Sequence, residues 1–138
     1  MNAIDKAKKL LDGGKTLAVV GKATLVFEGK GIKDLCSLSK EQLCGAAVAD
    51  KIVGRAAALL LADGGAAEVY AATLSEGGKK VLEDRGIAYA YGTLTKEIVN
   101  RAGDGPCPME VLSRGVENGE ELREKIKAWF DEKERRSI

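Results

Sequence analysis

The sequence predicts an α/β domain with a central mixed sheet, made of an antiparallel hairpin plus parallel strands, and with helices on both faces. Two observations lead to this prediction. Two runs rich in apolar and β-branched residues, 16–20 (TLAVV) and 24–28 (TLVFE), are separated by a short turn and predict the hairpin. Farther along, helical and strand-like segments alternate, which is typical of parallel βαβ units whose helices cover the sheet.

The first half of the chain contains the hairpin and two predicted helices. Residues 3–11 place apolar side chains at helical spacing and end before a Gly-Gly pair, so a first helix is predicted there. Between 29 and 44 the helical period is weak, and we interpret this segment as a loop in which Ser39 can cap a short turn. Residues 45–62 form an alanine-rich apolar run, which predicts a mostly buried helix of about five turns.

The second half alternates strands and helices before a long loop. We predict a strand at 68–73, a helix at 75–85 that ends at Gly86, and a strand at 87–91. Residues 95–100 are ambiguous between a strand and a helical turn, and 101–110 form a Gly- and Pro-rich loop with a helix start at Pro108. The charged amphipathic segment 120–134 predicts a last helix, whose Trp129 and Phe130 we expect to pack onto the sheet, with a subunit interface as the alternative.

Composition bounds the protein class. With 138 residues, 45% of them hydrophobic and 31% charged, the chain fits a single domain spanning 1–138 with one core. The net charge is +1, so electrostatics give no reason to expect nucleic acid as a partner. Apolar runs are far shorter than the roughly 20 residues that span a bilayer, and no signal-like segment opens the chain, so we predict a cytoplasmic protein without a membrane partner.

Cysteine and histidine usage narrows the chemistry. The three cysteines are irregularly spaced, which favours free thiols in a reducing compartment over a disulfide framework. The chain contains no histidine, so Ser-His, Cys-His and HExxH arrangements are excluded. Any catalysis must use carboxylates, lysine, arginine, tyrosine or thiols.

The predicted element order resembles that of the cytidine deaminase fold, a three-layer sandwich. In zinc deaminases one helix begins near His-x-Glu and the next opens with Pro-Cys-x-x-Cys. Here residues 48–50 (VAD) occupy the first slot, and alignment on Val81 and Leu82 places Ser75 and Gly78 in the cysteine positions. All three zinc ligands are missing, so we predict no zinc, no other metal and no cofactor, and we exclude zinc-dependent deamination.

Over nearly its full length the chain also resembles a family of uncharacterised prokaryotic proteins with a cytidine deaminase-like fold and no zinc-deaminase signature. The matching segments are 46–58 (AAVADKIVGRAAA), 70–82 and 103–110 (GDGPCPME). This resemblance implies the fold, and it implies no particular activity.

Asp50 is the first candidate site residue, because it interrupts an otherwise apolar run together with Lys51. A buried carboxylate is costly unless it is paired, hydrogen-bonded or facing a cavity, and Lys51 or Arg55 could pair with it. The functional interpretation is that Asp50 lines the deaminase-like pocket and contacts a ligand. The structural interpretation is a first-turn acid favoured by the helix dipole.

Cys107 is the second candidate, because it lies between two prolines just before a predicted helix. Such a position favours a reactive thiol, whereas a buried cysteine is often only a small apolar residue. We expect Cys107 to shape a pocket wall together with Arg101, Asp104 and Glu110. Arg101 could bind a phosphate or carboxylate through two hydrogen bonds, or form a surface salt bridge.

Three hypotheses for function follow, in order of preference. The first is a zinc-free domain that binds a nucleoside- or nucleotide-like molecule through five residues: Asp50, Lys51, Arg101, Cys107 and Glu110. The second is an enzyme of different chemistry, with Asp50 as acid or base or Cys107 as nucleophile. The third is a structural or interaction module that forms a homodimer through a sheet edge or a helix face. The sequence identifies neither the ligand nor a reaction.

Overall fold

A five-stranded mixed sheet forms the centre of the protein, with the strands in the order β2-β1-β3-β4-β5. The computed structural model describes residues 2–29, 31–100 and 102–136. In chain order, the strands are β1 (Leu17–Val20), β2 (Thr24–Phe27), β3 (Ala47–Val53), β4 (Glu68–Ser75) and β5 (Ala88–Thr95).

Seven helices surround the sheet in the described residues. In chain order, they are α1 (Ala3–Asp12), α2 (Gly31–Ser37), α3 (Lys40–Leu43), α4 (Arg55–Gly64), α5 (Glu76–Asp84), α6 (Pro108–Ser113) and α7 (Gly119–Arg136). No helix within the described ranges combines the length and the apolar character that a membrane crossing requires.

The strand pairing confirms the predicted mixed sheet. β1 pairs antiparallel with β2, its hairpin partner, and with β3 on its other side. β3, β4 and β5 then run parallel, with Asp50 opposite Ala71 and Ala71 opposite Tyr91. The helices that connect parallel strands must cross over a face of the sheet, which is why α4 and α5 lie between successive strands in the chain.

Helices cover both faces of the sheet. On one face, α1 buries Ala7 and Leu11 against Ala18 of β1 and Ala49 of β3. The other face carries the larger core, in which the buried leucines of α4 pack on apolar side chains of β1, β3 and β4. α7 packs chiefly against α4, α6 and α2, and its Trp129 and Phe130 lie against the core that these helices share with the sheet.

The largest correction concerns residues 45–62, which were predicted to be one helix. They form β3, then the N-cap residue Gly54, then α4. A buried parallel strand has no polar face, so its sequence is as continuously apolar as that of a buried helix. The interpretation of Asp50 as a first-turn acid of a helix is therefore wrong, because Asp50 lies in a strand.

The segment predicted as a loop between 29 and 44 contains two short helices, α2 and α3. Ser39 is the N-cap of α3, as its sequence position suggested. Its hydroxyl accepts a hydrogen bond from the backbone of Gln42, and the Gln42 side chain accepts one from the Ser39 backbone, which completes a capping box. The predicted helix start at Pro108 is confirmed by α6, and residues 96–100 lie in neither a helix nor a named strand.

Gly78 lies where α5 approaches the backbone between β3 and α4. A β-carbon at Gly78 would lie 2.9 Å from the carbonyl oxygen of Val53 and 3.0 Å from that of Gly54. We expect Gly78→Ala to lower the free energy of unfolding by about 1–3 kcal/mol, because these backbone atoms cannot move apart without disturbing the core. The matched control is Gly77→Ala, whose β-carbon makes ordinary contacts at 3.7 and 3.9 Å and should leave stability equal or higher. Urea denaturation measures both, and equal losses would contradict the prediction.

Candidate functional site

A cavity of about 500 Å³ opens at the carboxyl end of β3. Parallel α/β sheets commonly bind ligands at this position, where loops and helix starts meet outside the strand ends. The walls come from α2, α4, α6, α7 and the loop after β5, and most of the lining side chains are apolar, among them Ile32, Ala56, Ala57, Ile98, Met109 and Trp129.

Asp50 lies on β3 and brings a buried carboxyl group to the cavity. Asp50 is only 3% exposed and lines the cavity. Burial raises the pKa of Asp50 to about 7, and hydrogen bonds from the backbone of Ile52 and Lys51 act in the opposite direction. A β-carbon at Gly31 would lie 3.3 Å from the Asp50 Oδ1, so the glycine at the start of α2 leaves room for this carboxyl group.

The mouth of the cavity is partly charged and partly apolar. Lys51 follows Asp50 on β3 and is exposed, and its side chain forms no ion pair with another residue of the described ranges. Ile52 is 49% exposed and Val99 is 54% exposed, although both line the cavity. Exposed apolar side chains at the rim of a concave site are typical of surfaces that contact a ligand.

Cys107 lines the same cavity and is partly exposed. The loop before it folds back on itself: the Cys107 backbone N–H donates to the carbonyl oxygen of Ile98 at 2.9 Å, and Val99 forms a bridge with Pro106. Cys107 is the N-cap residue of α6, where its carbonyl oxygen accepts from the backbone of Glu110. These bonds fix the thiol on the cavity wall.

Glu110 also lines the cavity, and it has a structural partner. Gly54 has no side chain with which to cap α4, and the Glu110 Oε1 accepts a hydrogen bond at 3.0 Å from the backbone N–H of Arg55 instead. Burial raises the pKa of Glu110 above its usual range, while this hydrogen bond acts in the opposite direction. Glu110 therefore joins α6 to the first turn of α4.

Arg55 was one of the two ion-pair partners that the sequence suggested for Asp50, and it does not pair with Asp50. Its guanidinium group donates to the carbonyl oxygens of Ser113 and Val116, at 3.1 and 2.6 Å. Ser113 is the last residue of α6 and Val116 lies in the turn after it. Arg55 therefore satisfies backbone carbonyl groups at and beyond the C-terminus of this helix, where intrahelical partners are missing. Together with Glu110, it holds α6 against α4.

An aromatic wall was missed by the sequence analysis as part of the site. Trp129 and Phe130 of α7 both line the cavity and contact each other edge to face, with ring centroids 4.9 Å apart. Lys133, which also lines the cavity, lies over the Trp129 ring at 5.1 Å. The signal was available, because Trp129 is the only tryptophan of the chain and the apolar face of α7 includes it.

The structure thus brings four of the five predicted ligand-binding residues to one cavity: Asp50, Lys51, Cys107 and Glu110. The fifth, Arg101, lies outside the described residues. Asp104 is not a lining residue, and its carboxylate accepts a hydrogen bond from the side chain of Asn100 at 2.9 Å.

The residues that the sequence alignment placed at the zinc-ligand positions of deaminases do not line this cavity together: Val48, Ser75 and Gly78 are not lining residues. Ser75 is the N-cap of α5, where its hydroxyl accepts from the Gly78 backbone. Residues 48–50 lie within a strand, so the alignment with a helix start was wrong. Within the described ranges, no three Cys, Asp or Glu side chains cluster closely enough to hold a metal ion.

The three cysteines differ in exposure, which predicts their order of alkylation. Cys44 is exposed, Cys107 is partly exposed and Cys36 is buried, and burial raises the pKa of the Cys36 thiol. We expect iodoacetamide to modify Cys44 first, Cys107 more slowly and Cys36 only when the protein unfolds, because the thiolate must be accessible to react. Peptide mass spectrometry over a time course measures this order. If Cys107 reacted faster than the exposed Cys44, the result would contradict the expectation and indicate an activated thiol.

Comparison with known proteins assigns the chain to a family. The family model described as TM1506, domain of unknown function (DUF1893), matches residues 6–130. The crystal structure of a DUF1893 family protein (TM1506) from Thermotoga maritima is similar, with a TM-score of 0.81 and 23% identity over 92% of this chain and 89% of that chain. No curated protein matches the sequence. The structural likeness, at this low identity, shows a shared fold, and the family match extends over almost the whole chain. The chain belongs to the DUF1893 family of domains of unknown function.

Proposed function

We propose that the cavity binds a nucleoside- or nucleotide-like molecule, with the heterocyclic base next to Asp50. The buried carboxyl group of Asp50, at the wall of a largely apolar cavity, is the observation that carries this proposal. A carboxyl group with a pKa near 7 accepts N–H donors when ionised and both donates and accepts when protonated. The edges of nucleobases present N–H and C=O groups in adjacent positions, which match such a partner.

The walls of the cavity suit a flat ring. Apolar and aromatic walls with few convergent polar groups are typical of small-molecule sites, and about 500 Å³ lies within their usual range. The partly buried indole of Trp129 supplies a π surface. Every nucleobase has a π face, so stacking on an aromatic side chain depends little on which base it is. A base can therefore contact Asp50 with its edge and the apolar walls with its faces.

The charges support a sugar or phosphate at the mouth. Lys51 is exposed beside Asp50, and Lys133 lines the cavity from α7. A lysine ammonium group binds phosphate as a point charge. Cys107 and Glu110 complete the wall, with Glu110 acting chiefly through its hydrogen bond to α4.

A cytidine deaminase-like arrangement is part of the proposal. It is supported by the hairpin followed by parallel strands in the order β2-β1-β3-β4-β5, with helices on both faces. In this arrangement, three helix starts face the cavity: Gly31 of α2, Gly54 before α4 and Cys107 before α6. Only Cys107 has a side chain that can bind zinc, and a zinc site needs three or four ligands, so we propose binding without metal-dependent deamination.

Isothermal titration calorimetry tests the proposal with cytidine, uridine, adenosine, guanosine and their 5′-monophosphates. We expect at least one compound to bind, and Asp50→Asn to weaken the binding about tenfold or more, because a charged hydrogen bond is lost. Glu68→Gln is the matched control, since Glu68 is exposed at the opposite end of the parallel strands.

The outcomes separate the parts of the proposal. Tighter binding of monophosphates than of nucleosides, lost in Lys51→Gln, would support a phosphate at the mouth. Binding that Asp50→Asn leaves unchanged would place the ligand elsewhere. If none of the eight compounds binds, a nucleoside-like ligand is contradicted.

A second candidate is an enzyme that uses Asp50 as acid or base, or Cys107 as nucleophile. The observation in its favour is that a carboxyl group with a pKa of about 7 and a thiol line the same cavity. General acids and bases act best when their pKa lies near the working pH. Chromatography of each nucleoside after prolonged incubation with the protein tests this candidate. It requires product formation that Asp50→Asn or Cys107→Ser abolishes without unfolding the protein.

A further inference from the structure

Strand β5 forms an open edge of the sheet. Its eight residues pair with β4 on one side, and no backbone hydrogen bond reaches its other side from any described residue. Six of the eight residues are exposed, among them Tyr91 at 40% and Leu94 at 37%. An edge strand of this kind presents unpaired N–H and C=O groups, which are a template for another strand.

The edge lacks the features that normally prevent pairing. The sequence 88–95 (AYAYGTLT) contains no charged residue and no proline, although 31% of the chain is charged. Its aromatic side chains strengthen cross-strand contacts, and Tyr89 and Tyr91 already stack with centroids 6.4 Å apart.

The opposite edge of the sheet, β2, is different. It has only four residues, and charged side chains flank it: Lys15 pairs with Glu28 just after the strand, and the Lys6 ammonium donates to the Thr24 hydroxyl at 3.2 Å. Short strands and lysines are the usual protection of an edge. The two edges of one sheet thus differ in their readiness to pair.

We propose that β5 is a homodimer interface, in which β5 of a second copy pairs antiparallel with it to form one ten-stranded sheet. A second copy supplies a strand of equal length without charge, so that pairing brings no unmatched charge onto the interface. A two-fold pairing centred on Tyr91 places this tyrosine opposite its own counterpart. The assembly closes, because both remaining outer edges are the short, charge-flanked β2 strands. The proposal is independent of the nucleoside site.

Sedimentation velocity over a range of protein concentrations tests the interface. We expect the wild-type protein to reach twice the 14.6 kDa mass of one chain. Tyr91→Lys should raise the dissociation constant about tenfold or more, because two like charges then face each other across the two-fold axis. Leu94→Lys should also raise it, because a charge replaces an exposed apolar side chain within the paired strand. Val26→Lys is the matched control on β2, since Val26 is 41% exposed, and it should leave the dissociation constant unchanged.

Circular dichroism checks that each variant is folded. We expect all three to fold, because the substituted side chains are exposed. Hydrogen exchange gives a second measurement: the outward-facing amides of β5 should become more protected as concentration rises. A wild-type protein that stays monomeric at every concentration would overturn the proposal. The β5 edge would then be open to pairing with a strand of a different protein. A dimer that resists both lysine substitutions, or that Val26→Lys dissociates, would overturn it as well.

Discussion

Asp50→Asn should make the protein more stable at neutral and alkaline pH, with a gain on the order of 4 kcal/mol at about pH 8. The reason is that burial raises the pKa of Asp50 to about 7 in the folded protein, while an unfolded aspartate has a pKa of about 3.9. Each unit of this difference corresponds to about 1.36 kcal/mol of unfolding free energy. Asparagine has nearly the same size and is neutral, so it avoids the desolvation of the charge.

The direction of the pH dependence follows from proton binding. Between about pH 4 and pH 7 the folded protein holds a proton on Asp50 that the unfolded chain has lost. The contribution of Asp50 to stability is therefore complete below pH 4, decreases as the pH rises through this window, and stays at its lowest value above pH 7. Most paired carboxylates behave in the opposite way, because their folded pKa is lowered.

Urea denaturation of the wild type and Asp50→Asn at several pH values measures the difference. The gap between the two curves should be near zero at pH 4 and widest above pH 7. Glu68→Gln, an exposed carboxylate, should show no such widening. A constant gap, or a wild type that is the more stable protein at high pH, would show that a favourable partner compensates the charge of Asp50.

This cost bears on function. An apolar or amide side chain at position 50 would fill a strand position at lower energetic cost, and yet the chain carries a carboxyl group next to a cavity. Perturbed carboxyl groups in clefts are enriched at functional sites, although structural networks can also perturb them. Hydrogen bonds from the backbone of Ile52 and Lys51 act on the Asp50 carboxyl group, and no described residue forms an ion pair with it, so the ligand proposed above would supply the missing partner.

The sequence predicted the sheet type and most helices because their patterns are local. The hairpin shows two β-branched runs around a turn, and α7 shows an apolar stripe on a charged helix. β3 was missed because a strand buried on both faces has no alternation. Two features of the sequence could have separated β3 from α4. The first is that glycines at 45 and 54 bracket a short run, and the structure gives Gly45 a φ of +73°, which is unfavourable for other residues. The second is that this run contains the β-branched residues Val48, Ile52 and Val53.

The candidate site was predicted in part. Asp50 and Lys51 stood out as polar residues in an apolar run, and Cys107 and Glu110 stood out in an unusual loop. Their meeting depends on how α6 packs against α4, and no local pattern encodes that contact. The role of Glu110 as the cap of α4 was beyond reach for the same reason, whereas the single tryptophan on the apolar face of α7 was an available signal for the wall.

Gly54→Ala should disrupt the joint between α4 and α6 and lower the free energy of unfolding by about 2–4 kcal/mol. Gly54 has extended backbone angles that alanine can adopt, so the effect is steric. Its new β-carbon would lie 1.9 Å from the Glu110 Oε1 and 3.1 Å from the Ile98 Cγ1. Glu110 must then leave the Arg55 backbone N–H, which loses its cap.

A double-mutant cycle identifies the cause of this loss. Glu110→Ala alone should cost about 1–2 kcal/mol, the usual value of a helix cap, and Glu110→Gln should cost less because it keeps an acceptor oxygen. In the Glu110→Ala background only the contact with the Ile98 Cγ1 at 3.1 Å remains, so adding Gly54→Ala should cost much less than it does in the wild type. Urea denaturation of the single and double variants gives the coupling energy. If the two losses simply add, the collision with Glu110 is not what Gly54 avoids. If they do not add, Gly54 is needed because Glu110 occupies the space of its side chain, and one carboxylate both caps α4 and forms a wall of the cavity.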